Sequence, residues 1–153
     1  MTQPAHTDPL VEQARQAALR AYAPYSGFSV GCAVESVDGE LAVGSNMENA
    51  CYRLGVCGEI AALTAAKQSF GLDRIARIAV VGGRVGAGGF LEGAAVVTSC
   101  GACRQSILEA AQIGGRDIVV LSASGDGSAV TTALISELLP NAFGPANLTD
   151  AAS

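Results

Sequence analysis

The sequence predicts a layered α/β fold, and three observations carry that expectation. Short apolar runs rich in β-branched residues, at 75–81, 94–98 and 118–122, alternate with longer runs of helix formers at 58–70 and 102–113. Strands and helices in alternation stack as sheet and helix layers around one core. The helical runs are closed by glycine or proline, and 153 residues with 50% apolar side chains suffice for a single core. No internal repeat or low-complexity linker divides the chain, so one domain over 1–153 is expected, with 1–7 and 149–153 as flexible tails.

The first helix starts at Asp8-Pro9, where a carboxylate can cap free N–H groups and proline suits the first turn. Leu10, Val11, Ala14, Ala17, Ala18 and Ala21 then recur at roughly helical spacing until Pro24. Phe28, Val30, Cys32 and Val34 alternate with small or polar residues, Asp38-Gly39 marks a tight turn, and Leu41 and Val43 resume the pattern. This is a hairpin signature. Residues 44–52 are polar and Asn-rich, hence loop-like, and lead to Cys57.

A helix follows over 58–70, closed by Gly71 at a favoured C-cap position, and 75–81 reads as a buried strand. Residues 82–89 read as a glycine-rich turn and 94–98 as a further strand. The run 102–113 forms a helix ended by Gly114-Gly115, 118–122 a strand, and Gly125-Asp126-Gly127 a turn. Residues 131–139 read as a short edge strand and then a helix that Pro140 ends.

Composition narrows the function. Only 15% of residues are charged and the mean hydropathy is positive, so the excess apolar surface is expected in subunit contacts. The net charge is −5 and the nine Lys and Arg residues are scattered, with no basic stripe to neutralise phosphates. A small uncharged ligand is expected, not a nucleic acid polymer. No apolar run approaches the roughly 20 residues of a membrane span, and the polar stretch from Met1 to Pro9 lacks a signal-peptide core. An odd count of five cysteines fits reduced thiols in the cytoplasm.

Chemistry concentrates in Val56-Cys57-Gly58-Glu59 and Ser99-Cys100-Gly101-Ala102-Cys103-Arg104-Gln105. Cys100 and Cys103 stand three apart, so at a helix start both sulfurs can face one point. Cys57 precedes its helix, which lets it reach a metal while Glu59 reaches the same cavity. Both segments open helices, whose positive ends would offset the charge of three thiolates around a dication. Such a site lowers the pKa of a bound water toward neutrality. The only histidine, His6, lies in the polar N-terminal stretch, which leaves Cys57, Cys100 and Cys103 as the candidate ligands. Cys32 and Cys51 are expected to have no metal role, since buried cysteines usually behave as small hydrophobes. Two plainer readings stand beside this one: Cys-Gly-Ala-Cys as a thioredoxin-like redox pair, and Glu59 as an ordinary first-turn acid. Cys57 next to Glu59, and the lack of an aromatic residue before Cys100, favour the metal.

Five segments in order resemble the cytidine deaminase family of small, homotetrameric zinc enzymes: 23–31 (APYSGFSVG), 46–52 (NMENACY), 57–59 (CGE), 100–105 (CGACRQ) and 137–145 (ELLPNAFGP). The resemblance implies a three-layer α/β/α domain with a mixed five-stranded sheet and active sites shared between subunits of a homotetramer. It implies one Zn2+ per subunit and a hydrolase acting on a cyclic amidine C–N bond. The reaction would convert cytidine and 2'-deoxycytidine to uridine and 2'-deoxyuridine with release of ammonia, in pyrimidine salvage. Glu59 would be the catalytic proton carrier. Asn46 and Glu48 match positions that hold ribose hydroxyls, and Phe28 an aromatic beside the pyrimidine. Ala50 and Tyr52 match positions that reach a neighbour's ribose, and Phe143 an aromatic that covers the base from another subunit. Phe28 and Phe143 as core aromatics, and Asn46 as a turn residue, are the plainer alternatives.

Three positions depart from the family's usual pattern: Gly58 for alanine, Ile60 for arginine and Ser99 for proline. In the family that arginine hydrogen-bonds the thiolates, so Ile60 is expected to leave the bound water less acidic, and Ile60→Arg to lower the pH at which activity appears. Arg104 is open as a substitute or as a salt-bridge or subunit contact. Gly58 is open as a widened pocket near the pyrimidine or as a neutral change. Deamination of modified cytidines or of a cytosine-containing antibiotic such as blasticidin S, and a low-activity zinc-binding member, are the alternatives.

Overall fold

The structure, a computed structural model, describes residues 8–150; the expected tail 1–7, which holds His6, and residues 151–153 lie outside the described residues. Asp8 caps α1 (Pro9–Ala18) by accepting from the Leu10 N–H at 2.9 Å. The helix ends well before Pro24, because Tyr22 leaves it to pair with the 46–48 segment. Tyr22 donates its N–H to the Asn46 carbonyl at 3.0 Å and accepts from the Glu48 N–H at 2.8 Å.

Strands β1 (Ser29–Ser36) and β2 (Leu41–Ser45) form the expected hairpin. They join β3 (Ile75–Val85), β5 (Val119–Ser124) and β6 (Val130–Leu134) in the order β2-β1-β3-β5-β6, while the two-residue β4 (Leu91–Glu92) pairs with the end of β3. The sheet is mixed: β3 runs antiparallel to β1 and parallel to β5. The parallel pair is bridged by α3 (Gly101–Gly114), the crossover such a pair requires.

Period-two alternation sends the strand side chains into two cores. Cys32, Val34, Ile78, Val80 and Val120 face α3 and α2 (Gly58–Ser69), whereas Ala33, Ala79, Val81, Leu121 and Ala123 face α1. This gives the three layers and the five strands in the main path that were expected. Gly44 lets α2 sit directly on β2, since a Cβ there would lie 2.3 Å from the Ala62 nitrogen. Each large aliphatic residue buried here, such as Ile78, contributes about 1.5–3 kcal/mol relative to exposure.

Three expectations are corrected. Residues 94–98 form no strand, because both edges of β5 are occupied, by β3 and by β6; a single bond from the Val97 N–H to the Ala123 carbonyl, 3.3 Å, is what ties that segment to β5. The segment 82–89 is not all turn: β3 continues through Gly82 and Gly83 to Val85, where β4 pairs with it. The chain after α4 (Ile135–Leu138) forms a short helix α5 (Pro145–Asp150), so residues 149 and 150 are helical rather than tail.

Candidate metal centre and substrate cleft

Cys57 is the residue before the first turn of α2, and Cys100 stands in the same place before α3; both have extended backbone and neither caps its helix through its side chain. The sulfurs are thereby free to point away from their own helices. Because α2 and α3 pack on the same face of the sheet, their starts meet. The sulfurs of Cys57, Cys100 and Cys103 lie within 4.8 Å of one another. Tetrahedral zinc with Zn–S bonds of about 2.3 Å spaces its sulfurs about 3.8 Å apart, so this donor set fits a soft dication with small adjustment. All five cysteines are free thiols.

Without a metal the three thiols differ. Burial pushes Cys57 up, and burial together with the Glu59 carboxylate pushes Cys103 far above the ordinary thiol range. The Cys103 backbone N–H holds Cys100 below that range. Glu59 is only 4% exposed and stands on the first turn of α2, where its charge also acts on Cys32 behind it. Cys32 is fully buried, as expected, but Cys51 is exposed, so the reading of it as a buried hydrophobe is wrong. The Asn49 side chain accepts from the Cys51 N–H and holds that turn outward.

The centre opens into a cleft of about 580 Å³ whose lining includes Cys57, Gly58, Glu59 and Cys100 together with Asn46, Glu48 and Tyr52. Asn46 binds the start of β1 and the residue before it: Oδ1 accepts from the Val30 N–H at 2.8 Å and Nδ2 donates to the Phe28 carbonyl at 2.9 Å. Glu48 Oε1 accepts from the N–H groups of Tyr25 and Ser26 at 3.0 and 3.1 Å. The Ser26 hydroxyl and these N–H groups hold its carboxyl below the usual range. Tyr25 packs edge-on against Tyr52 with ring centroids 5.8 Å apart.

Phe28, Ala50 and Phe143 do not line the cleft of one chain. The Phe28 ring stands over Gly82 beside Val97, itself a lining residue. Phe143 is 62% exposed and Tyr52 79%, so neither is a core aromatic. Sequence reasoning passed over Val97 and Thr98, which line the cleft as the segment approaching Cys100; their β-branched types had marked them as strand.

Gly58, Ile60 and Arg104, whose roles the sequence left open, each have a defined setting. Gly58 lines the cleft at its contact with β1: a Cβ there would stand 3.0 Å from the Val30 carbonyl oxygen, a tight approach. Ile60 faces a separate groove between α2 and α3, beside Leu63 and Leu72. Arg104 bonds neither a thiol nor an acid: its Nε donates to the Ser99 carbonyl at 2.9 Å and its Nη1 to the Leu138 carbonyl at 3.0 Å.

A mixed sheet between helix layers brings three thiols and a buried acid together at the meeting of two helix starts, which makes this an α/β protein with a donor set suited to a thiolate-bound metal. The family profile described as the cytidine and deoxycytidylate deaminase zinc-binding region matches residues 5–121. A cytidine deaminase of Mycobacterium tuberculosis is 37% identical over 86% of this chain and 84% of its own length. One from Halalkalibacterium halodurans is 37% identical over 92% and 96%. The crystal structure of a cytidine deaminase from Burkholderia pseudomallei superposes with a TM-score of 0.74 at 36% identity, covering 91% of this chain and 99% of that one. The chain belongs to the cytidine deaminase family. Among the described residues no helix is long and apolar enough to cross a membrane.

Proposed function

We propose that this chain catalyses the zinc-dependent hydrolytic deamination of cytidine and 2'-deoxycytidine to uridine and 2'-deoxyuridine, in pyrimidine salvage in the cytoplasm. The observation that carries the reading is the meeting of Cys57, Cys100 and Cys103, sulfurs within 4.8 Å, in a cleft that also holds buried Glu59. The three cysteines would hold one Zn2+ per subunit. When bound, zinc supplies Lewis acidity that lets a water molecule ionise near neutral pH.

Glu59 takes a proton from the attacking water and passes it to N3 of cytosine, which makes C4 electrophilic as the water oxygen adds there. Glu59 then takes the proton of the new C4 hydroxyl and gives it to the departing amino group, so that ammonia leaves and the C4 carbonyl of uracil forms. Asn46 and Glu48 receive the ribose hydroxyls. Their existing bonds to β1 and to the 25–26 turn support that role, because they hold both groups rigid at the cleft wall.

Phe28 packs beside the pyrimidine, and Ala50, Tyr52 and Phe143 act on a neighbour's substrate in a homotetramer. The exposure of Tyr52 and Phe143 supports their being covered by another copy. The test is ammonia release from cytidine, deoxycytidine, cytosine, N4-substituted cytidines and blasticidin S, alongside zinc content and native mass. Turnover of the two nucleosides with zinc near one per chain is expected. Turnover confined to modified cytidines or the antibiotic, or zinc without turnover, would replace this reading.

A further inference from the structure

The turn that delivers Cys100 is held by a side chain from the helix it precedes. Ser99 is 4% exposed, yet its hydroxyl is buried without a hydrogen-bond partner, so its own side chain does not fix the turn. Cys100 makes no side-chain cap either. What grips the turn is the Ser99 carbonyl, which accepts from Arg104 Nε at 2.9 Å. The same guanidinium reaches from the first turn of α3 to the Leu138 carbonyl, 3.0 Å away at the last residue of α4. Leu138 is packed against the core beneath α3.

We propose that Arg104 is a positioning residue for the Cys100 and Cys103 ligand pair, clamping the Cys100 turn to the end of α4 so that metal retention depends on that clamp. The inference rests on the ligand assignment of the proposed function. A planar guanidinium can serve two carbonyls in fixed directions, whereas the lysine ammonium is a single compact donor on a flexible stem. Removing the clamp frees the residue next to a ligand. Partners one step removed from a metal are worth about ten- to a hundredfold in affinity. The neighbouring Gln105 also bonds the C-terminal segment, donating to the Phe143 carbonyl at 2.7 Å, but it does not touch the Ser99 turn. It therefore serves as the control.

The experiment uses the zinc-loaded full chain as wild type, Arg104→Lys, Arg104→Ala and Gln105→Ala. It follows zinc release to a coloured chelator and the thiolate-to-metal absorption of the cobalt-substituted protein. Release about tenfold faster in both Arg104 variants, with a changed cobalt spectrum, and wild-type behaviour in Gln105→Ala, is expected. Should Arg104→Ala not fold, Arg104→Lys alone decides. Release within about twofold of wild type and an unchanged cobalt spectrum in Arg104→Lys would overturn the inference while leaving the ligand set intact. A wild-type chain that binds no metal would instead overturn the ligand assignment, and this inference with it.

Discussion

Gly58 and Val30 touch where α2 begins: a Cβ on Gly58 would lie 3.0 Å from the Val30 carbonyl oxygen and 3.4 Å from Val30 Cγ1. The methyl that alanine would supply fits only if β1 or the helix start gives by a few tenths of an ångström. Gly58→Ala is expected to push β1 and the helix start apart and to cost about 1–3 kcal/mol, the range for overpacking. The ratio of activity on N4-substituted cytidine to that on cytidine should stay as it is in the wild type. Thermal melts and paired kinetic assays check both parts, and a variant of unchanged stability that newly rejects substituted cytidines would show the glycine to be a pocket residue.

Glu59 and Cys103 should fail in different ways. Glu59→Gln keeps the shape of the buried side chain and removes its proton-carrying capacity, so zinc should remain while turnover falls by about 10²–10⁴-fold. Cys103→Ala takes away a fully buried sulfur and should lose zinc and activity together. Zinc analysis beside kcat separates the two, and an active Glu59→Gln enzyme would remove Glu59 from the mechanism.

The Glu48 carboxyl titrates below its ordinary range because the Ser26 hydroxyl and the Ser26 and Tyr25 N–H groups favour its charged form. A group with a depressed folded pKa adds stability above its unfolded pKa, and that contribution disappears as pH falls through the folded value. The 25–26 turn should therefore stay tied to Glu48 throughout neutral and mildly acidic solution and loosen only in stronger acid. Ser26→Ala should move the Glu48 titration upward, toward the ordinary carboxylate range, as followed by carboxyl carbon NMR. A titration midpoint that does not move would mean that the Ser26 hydroxyl is not a main cause.

Local chemistry made much of the molecule legible. Asp8-Pro9, Cys57-Gly58 and Cys100-Gly101 each announce a helix start within a few residues, and the hairpin turns at Asp38-Gly39 as written. What escaped depends on distant partners. Val96, Val97 and Thr98 have strand-like side chains, but β6 had already taken the edge of β5. Glycines at 82 and 83 looked like a turn, yet β1 pairs with both of them and β4 with the two residues that follow. The start of α5 did carry a local signal, Gly144-Pro145, with proline at the first helical position.

The site divides the same way. The cysteines and Glu59 were readable because their geometry comes from the helix starts that carry them. The second bonds of Asn46 to β1, the tight approach of Val30 to Gly58 and the reach of Arg104 to Leu138 could not be read, since each joins residues far apart in the chain.

The placing of the three sulfurs also orders how the chain must come together. Cys57 precedes α2, while Cys100 and Cys103 follow β3, so an ion shared by all three closes a long loop that contains the central strand. That loop has no reason to close in an unfolded chain, where its entropy opposes closure. An ion shared by all three would be held in full only once β3 lies beside β1 and α2 has docked. A metal bound there would act as a clasp, so that neither helix start could open locally without releasing it.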